Sequence, residues 1–174
     1  MGDMIIRRAQ FSDVEAGVYL GREIHGNDAA VDWLPFDDEK IHRLAQGWLT
    51  SRSFIVLVAE DFDLARYETW PTSVQEARTR RCKSTIGFFV GYRHRNASDG
   101  AWLADDVAMF VRQSKRGYLA AARLLLRFID WARACECSEV CLGSSSGYVI
   151  REAGLDYQWL GLEQLGPYYR ARLR

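Results

Sequence analysis

The sequence predicts an α/β layer fold in which helices lie on a mixed sheet, and three observations carry that prediction. Two continuous apolar runs, residues 54–59 and 85–92, read as strands covered on both faces. In residues 118–134, Arg123, Arg127 and Asp130 mark a narrow polar stripe at helical spacing and nearly everything else is apolar, so this helix is expected to be buried around most of its circumference. The periodic segments fall in the order β-α-α-β-β-β-α-β-α-β, which sets helices against strands in layers. At 174 residues, the chain reads as one domain spanning 1–174.

Taken in order, Met4-Ile5-Ile6 opens a short strand. A helix start follows, with Ser12 as cap, Glu15 closing the capping box and Phe11 stapling the first turn. This helix should end near Gly26, a residue type favoured just past a helix C-terminus. A second helix follows Pro35, capped by Asp37 or Asp38. Its apolar set, Ile41, Leu44, Ala45, Trp48 and Leu49, keeps i, i+3, i+4, i+7, i+8 spacing. Between the two apolar strands, residues 61–83 are too long and polar for a hairpin and read as a surface insertion. Thr72 and Gln75 are placed to cap a short helix within it. A third strand runs from Trp102 to Val111, and Val140-Cys141-Leu142 forms another. Ser144-Ser145-Ser146 caps a small helix that ends near Gly154, and residues 160–173 read as a strand or an abbreviated hairpin.

Composition narrows the function. The 23 basic and 23 acidic residues cancel, which argues against nucleic acid or an anionic membrane as the main partner. No stretch approaches the roughly 20 apolar residues that span a bilayer. The first ten residues lack an apolar signal core, and Ile6 stands where a myristoylation motif wants Ser or Thr. The spacing of Cys135 and Cys137 fits neither a zinc knuckle nor a redox pair, and Cys82 and Cys141 stand apart. Reduced thiols in a cytoplasmic protein, with no metal site, are the expectation.

The informative segment is a strand ending at Val111, a charged loop from Arg112 to Arg116, then Gly117 and the long helix. A helix N-terminus presents unpaired N–H groups and partial positive charge, which suits an anion such as a pyrophosphate. Lys115 and Arg116 add side-chain charge there, and Ala120 and Ala121 allow close approach to the backbone. A basic strand-loop-helix without a ligand would look the same.

Read as a unit, Val111-Arg112-Gln113-Ser114-Lys115-Arg116-Gly117-Tyr118-Leu119-Ala120-Ala121 resembles the acetyl-CoA signature of the GNAT N-acetyltransferases. In that family a strand ending in Val leads to Arg/Gln-x-x-Gly-x-Gly/Ala at a helix start. Arg116 matches the first position and Ala121 the last, while Leu119 replaces the central Gly and Gln113 stands where Pro is usual. Downstream, residues 157–163 (Tyr-Gln-Trp-Leu-Gly-Leu-Glu) resemble the family's Tyr-x-x-Leu-Gly-Phe-Glu segment, with Leu162 for Phe. With Ile5, Arg7, Ala9 and the Ser12-Asp13 helix start, the resemblance covers nearly the whole chain. The ending, residues 165–170, resembles short phage-encoded members and is briefer than the family's usual two terminal strands.

The resemblance implies a mixed, mostly antiparallel central sheet with helices on both faces. It also implies acetyl transfer from acetyl-CoA, as co-substrate, to an amine by direct attack in a ternary complex. Met109, Phe110, Val111, Arg116, Gly117, Tyr118, Leu119, Ala120, Ala121 and Ser145 are the implied cofactor-binding residues, and Tyr157 the acid that protonates the departing thiolate. An amine of pKa about 10.4 must first lose a proton. Asp106, then Asp105 and Glu60, are the candidate bases, with a water relay as the alternative. Alternation puts Asp105 and Asp106 on opposite faces of their strand. Acids at 28, 32, 37 and 38 flank the implied acceptor site and would favour a cationic amine, small molecule or protein. The basic run 78–83 is a solvated face or a contact for the adenosine 3′-phosphate, and His25, His42 and His94 share no motif. Two rivals stand: the same fold acting as a protein-binding module, and an unrelated nucleotide binder. The second is disfavoured, because no G-x-x-x-x-G-K-S/T or G-x-G-x-x-G segment exists.

Overall fold

The structure, a computed structural model, describes residues 4–25, 35–61, 73–112, 118–143 and 160–163. Strand β1 (Met4–Arg8) leads through a 3-10 turn (Phe11–Asp13) into α1 (Val14–His25). Helix α2 (Asp38–Thr50), β2 (Phe54–Asp61), α3 (Val74–Ser84), β3 (Thr85–Arg95), β4 (Trp102–Val111), α4 (Tyr118–Ala134) and β5 (Glu139–Cys141) follow. The strands form one sheet in sequence order. Pairing is antiparallel from β1 to β4 and parallel between β4 and β5. A parallel neighbour requires a crossover, and α4 is that crossover.

Helices cover both faces. Along β3, alternation sends Phe89 toward α4, where its ring centroid lies 4.7 Å from that of Phe128, and Phe128 stacks on Trp131 at 5.7 Å. Gly91 permits this close approach, since a Cβ there would fall 2.4 Å from Phe128 Cε2. Leu124 and Leu125 complete this buried side. On the opposite face α1 buries Val14, Ala16, Val18 and Leu20, and α2 packs on α1 and β2. Helix α2 starts at the expected cap, with the Asp37 carboxylate accepting from the Lys40 N–H at 2.9 Å. None of its residues is fully buried.

Two local readings change. The first helix is introduced by Asp13, not Ser12. The Asp13 carboxylate accepts the Gln10 N–H at 2.7 Å, and Phe11 stays exposed. The cause is tertiary: Arg7 donates twice to Asp13, at 2.7 and 2.9 Å, and twice to Glu60, both at 2.8 Å. Arg81 adds a bond to Asp13 at 2.9 Å and another to the Ser12 hydroxyl. Within the insertion, α3 is capped by Ser73, which accepts the Glu76 N–H at 3.1 Å, and it runs for 11 residues. Arg81 and Arg80 of the basic run are thus engaged with Asp13 and Glu76. The hairpin joining β3 to β4 turns at Gly100, whose φ of 72° suits glycine.

Candidate active site at the parting of two parallel strands

Strands β4 and β5 pair over only three positions, Leu103 with Glu139, Ala104 with Val140 and Asp105 with Cys141. Beyond them the Asp106 side chain takes over, its Oδ1 accepting the Gly143 N–H at 2.6 Å. Among the described residues, no strand pairs with the outer edge of β4 past Asp105. Val107 is a bulge, since Val90 pairs with Ala108 and Gly91 with Asp106. Past the bulge, Arg112 donates its N–H to Ile86 of β3 at 2.7 Å. N–H directions alternate along an antiparallel strand, so the Met109 N–H, three residues back, points away from β3 toward the open side. Phe110 and Val111 bury their side chains in the core.

Strand β4 then leads to α4 through residues 113–117, which lie outside the described residues, as do Ser145 and Tyr157. Arg116 and Gly117 therefore have no described geometry. At the start of α4, Ala120 and Ala121 are buried, whereas Leu119 is 38% exposed. The residue that replaces the family's central glycine thus points outward and is no part of the core. The Arg112 guanidinium anchors the end of β4, donating to Glu23 at 3.1 Å and to the carbonyls of Lys83 and Cys82 at 3.3 and 3.2 Å.

The two adjacent carboxylates sit on opposite faces, as alternation requires. Asp106 lies opposite Gly91, on the α4 side, and its pKa is raised by burial, partly offset by the Gly143 N–H. Asp105 lies opposite Tyr92, on the other side, where its Oδ2 meets His94 Nε2 at 2.7 Å and the Tyr92 hydroxyl at 3.2 Å. Burial, then the nearby Asp105 charge, raises the Tyr92 phenol above its ordinary range. Burial also raises the Cys141 thiol, which hydrogen-bonds to Asp105 from β5. Glu60 stands apart, held by Arg7 at the other edge of the sheet. His94 is the member that sequence reading missed. Its only sequence signal was the hairpin register, which sets it opposite Leu103 and diagonal to Asp105.

No protein-family model matches the chain, and no curated protein sequence matches it. Solved structures share its fold over nearly their full lengths. A transcriptional regulator from Bacillus halodurans C-125 superposes with a TM-score of 0.68 at 14% identity, covering 98% of this chain and 100% of that one. An aminoglycoside N-acetyltransferase in complex with CoA gives 0.67 at 17% identity, covering 100% and 97%. A GNAT family acetyltransferase from Staphylococcus aureus gives 0.60 at 12% identity, covering 99% and 100%. Among the described residues, a sheet of five strands in which β5 runs parallel to β4, with helices on both faces, places the chain in the class of proteins with the GNAT fold. At these identities the likeness is one of fold.

Proposed function

We propose that this chain is an acetyl-CoA-dependent N-acetyltransferase that passes the acetyl group directly to an amine. The observation that supports the reading best is the parting of β4 from β5 after Asp105 and Cys141, which leaves the Met109 N–H facing the gap. A pantetheine arm would lie between the parted strands. Its thioester oxygen would meet the Met109 N–H, a donor suited to the negative charge of a tetrahedral intermediate. The gap leads toward the N-terminus of α4, where backbone N–H groups, Arg116 and Gly117 would hold the pyrophosphate. Tyr118, Ala120 and Ala121 would line that approach, Ser145 would join from beyond β5, and Tyr157 would protonate the departing thiolate.

A soluble cytoplasmic location and an amine acceptor complete the reading, in keeping with the balanced charge. Among the described residues, no helix is long and apolar enough to cross a membrane. A second reading, a protein-binding module with this fold, draws on the half-exposed apolar stripe of α2, where Leu44 is 41% exposed.

Two measurements test the assignment. Acetyl-CoA at about 100 times its Kd should stabilise the fold by roughly 2.7 kcal/mol, and Arg116→Ala should weaken binding by about 1.5–3 kcal/mol. Calorimetry with no binding at millimolar coenzyme A sinks the cofactor assignment. With a working acceptor, Tyr157→Phe should lower kcat by about 10²-fold or more without changing cofactor affinity. A binding protein that turns over no amine returns the chain to the module reading.

A further inference from the structure

We propose that His94, positioned by Asp105, is the group that takes the proton from the acceptor amine. This rests on the acetyl-transfer reading and names a residue within it. Three strands bring the parts together: Tyr92 and His94 from β3, Asp105 from β4 and Cys141 from β5. Tyr92, Asp105 and Cys141 share the last described rung of the parallel pair, and His94 lies one pair back on the same face, opposite α4. If the cofactor phosphates sit at the N-terminus of α4, the arm threaded between the strands delivers its acyl end toward this opposite face.

Chemistry separates the candidates. Asp106 is on the α4 side with its carboxylate committed to Gly143. Asp105 Oδ2 already accepts from His94 and Tyr92. His94 is within reach of solvent, with its side chain 38% exposed. Giving its Nε2–H to Asp105 fixes the tautomer that leaves the Nδ1 lone pair to act as base, an assignment made from the hydrogen-bond pattern. Nδ1 lies 3.3 Å from the Arg95 carbonyl, which can accept the new N–H once the ring is charged. The ring therefore has an acceptor for each of its two protons. The Tyr92 ring stacks on it at 5.4 Å, continuing through Phe54 to Trp48 and holding it in place. The nearby cations do not compete, since the Arg93 and Arg95 guanidinium groups turn to Trp102, 4.6 and 4.2 Å from its centroid.

Four residues of strand, roughly 13 Å, separate Asp105 from Met109. We place the acetyl group on the Met109 N–H and the attacking amine beyond it, with water carrying the proton the rest of the way to the ring. Through that water the ammonium gives one proton to His94 Nδ1. The freed nitrogen lone pair forms the C–N bond, and the C–S bond breaks with its electron pair on sulfur. The second nitrogen proton ends on that sulfur, and the imidazolium returns its proton to solvent. Ammonium plus acetyl-CoA give N-acetylamine, CoA thiol and one proton.

The test follows CoA thiol release from acetyl-CoA with a thiol-reactive dye, using spermidine, sisomicin and water as acceptors. His94→Ala and Asp105→Asn should each lower kcat by about 10²-fold while the acetyl-CoA Kd and the Tm stay at wild-type values. Added imidazole should restore His94→Ala in proportion to its concentration and leave Asp105→Asn unrescued. The double variant should be no slower than the slower single one, because the pair acts as a unit. Variants that turn over within about threefold of wild type, or a His94→Ala enzyme that imidazole does not help, overturn the His94 assignment alone. A wild-type protein that releases no thiol above the blank with any acceptor overturns the acetyl-transfer reading and this assignment with it.

Discussion

The cluster around Asp13 at one edge of the sheet and the cluster around Asp105 near the other use the same kinds of side chain to opposite ends. The Asp13 carboxylate, 2% exposed, accepts from Arg7 twice, from the Gln10 N–H and from Arg81, while Arg7 spends its remaining donors on Glu60 and the Arg8 carbonyl. Charges answered this completely hold a fold together and have nothing left to give a substrate. Asp105 instead keeps a half-exposed imidazole beside the end of the described β4–β5 pairing. The difference between a structural ion cluster and a reactive one is therefore room for one more proton next to accessible space.

The largest expected effect breaks the first cluster. Asp13→Asn should cost about 3–5 kcal/mol by urea titration, because it leaves Arg7 and Arg81 partly buried against an uncharged amide. Burial alone would raise the Asp13 carboxyl, but the Arg7 bond, the Gln10 N–H and the charges of Arg7 and Arg81 outweigh it and hold it below the usual range. A depressed carboxyl stabilises the fold above its unfolded pKa of about 3.9 and loses that contribution as pH falls through the folded value. The stability gap between wild type and the Asp13→Asn variant should close in acid. A gap that persists there would assign the cost to packing.

Leu119→Gly addresses the start of α4. An outward Leu in a helix loses only helix propensity when replaced by Gly, so a loss of about 0.5–1 kcal/mol is expected. Thermal melting that shows a loss of about 3 kcal/mol, the scale of a core truncation, would mean the side chain packs in the core after all. Coenzyme A affinity, measured on the same variant, should rise if the outward Leu crowds the phosphate approach.

The smallest effect is expected at Asp106. Its carboxyl is raised by burial, so the ionised form costs stability above its folded pKa, and that cost disappears as pH falls and the group protonates. Asp106→Asn keeps an oxygen for the Gly143 N–H and removes the charge. The variant should match or slightly exceed wild-type Tm near neutral pH, converge with it in acid, and retain turnover. A loss of turnover comparable to that of Asp105→Asn would move the base to Asp106 and erase the contrast between the two faces of β4.

Several elements were legible before any coordinates. The bounds of β4 and α4, an acidic cap for α2 at Asp37 or Asp38 (it is Asp37) and the opposite facing of Asp105 and Asp106 all follow from periodicity, capping chemistry and strand alternation. What was not legible shares one cause: it depends on residues distant in sequence. Asp13 displaced Ser12 as the helix-start residue because Arg7 and Arg81 converge on it from β1 and α3. His94 offered no motif, and became meaningful only when a hairpin folded it across to Asp105, 11 positions away.

By itself, the sequence determined strands β1 to β4 and the long helix α4, since these follow from local spacing of apolar and charged side chains. Which neighbours those elements acquire is a different matter. That β5 lies parallel to β4, that their described pairing ends after three rungs and that Asp106 takes the Gly143 N–H is a property of packing across the crossover helix. Only the tertiary structure could decide it, because a gap between strands consists of pairings not made. No residue carries that in its own chemistry.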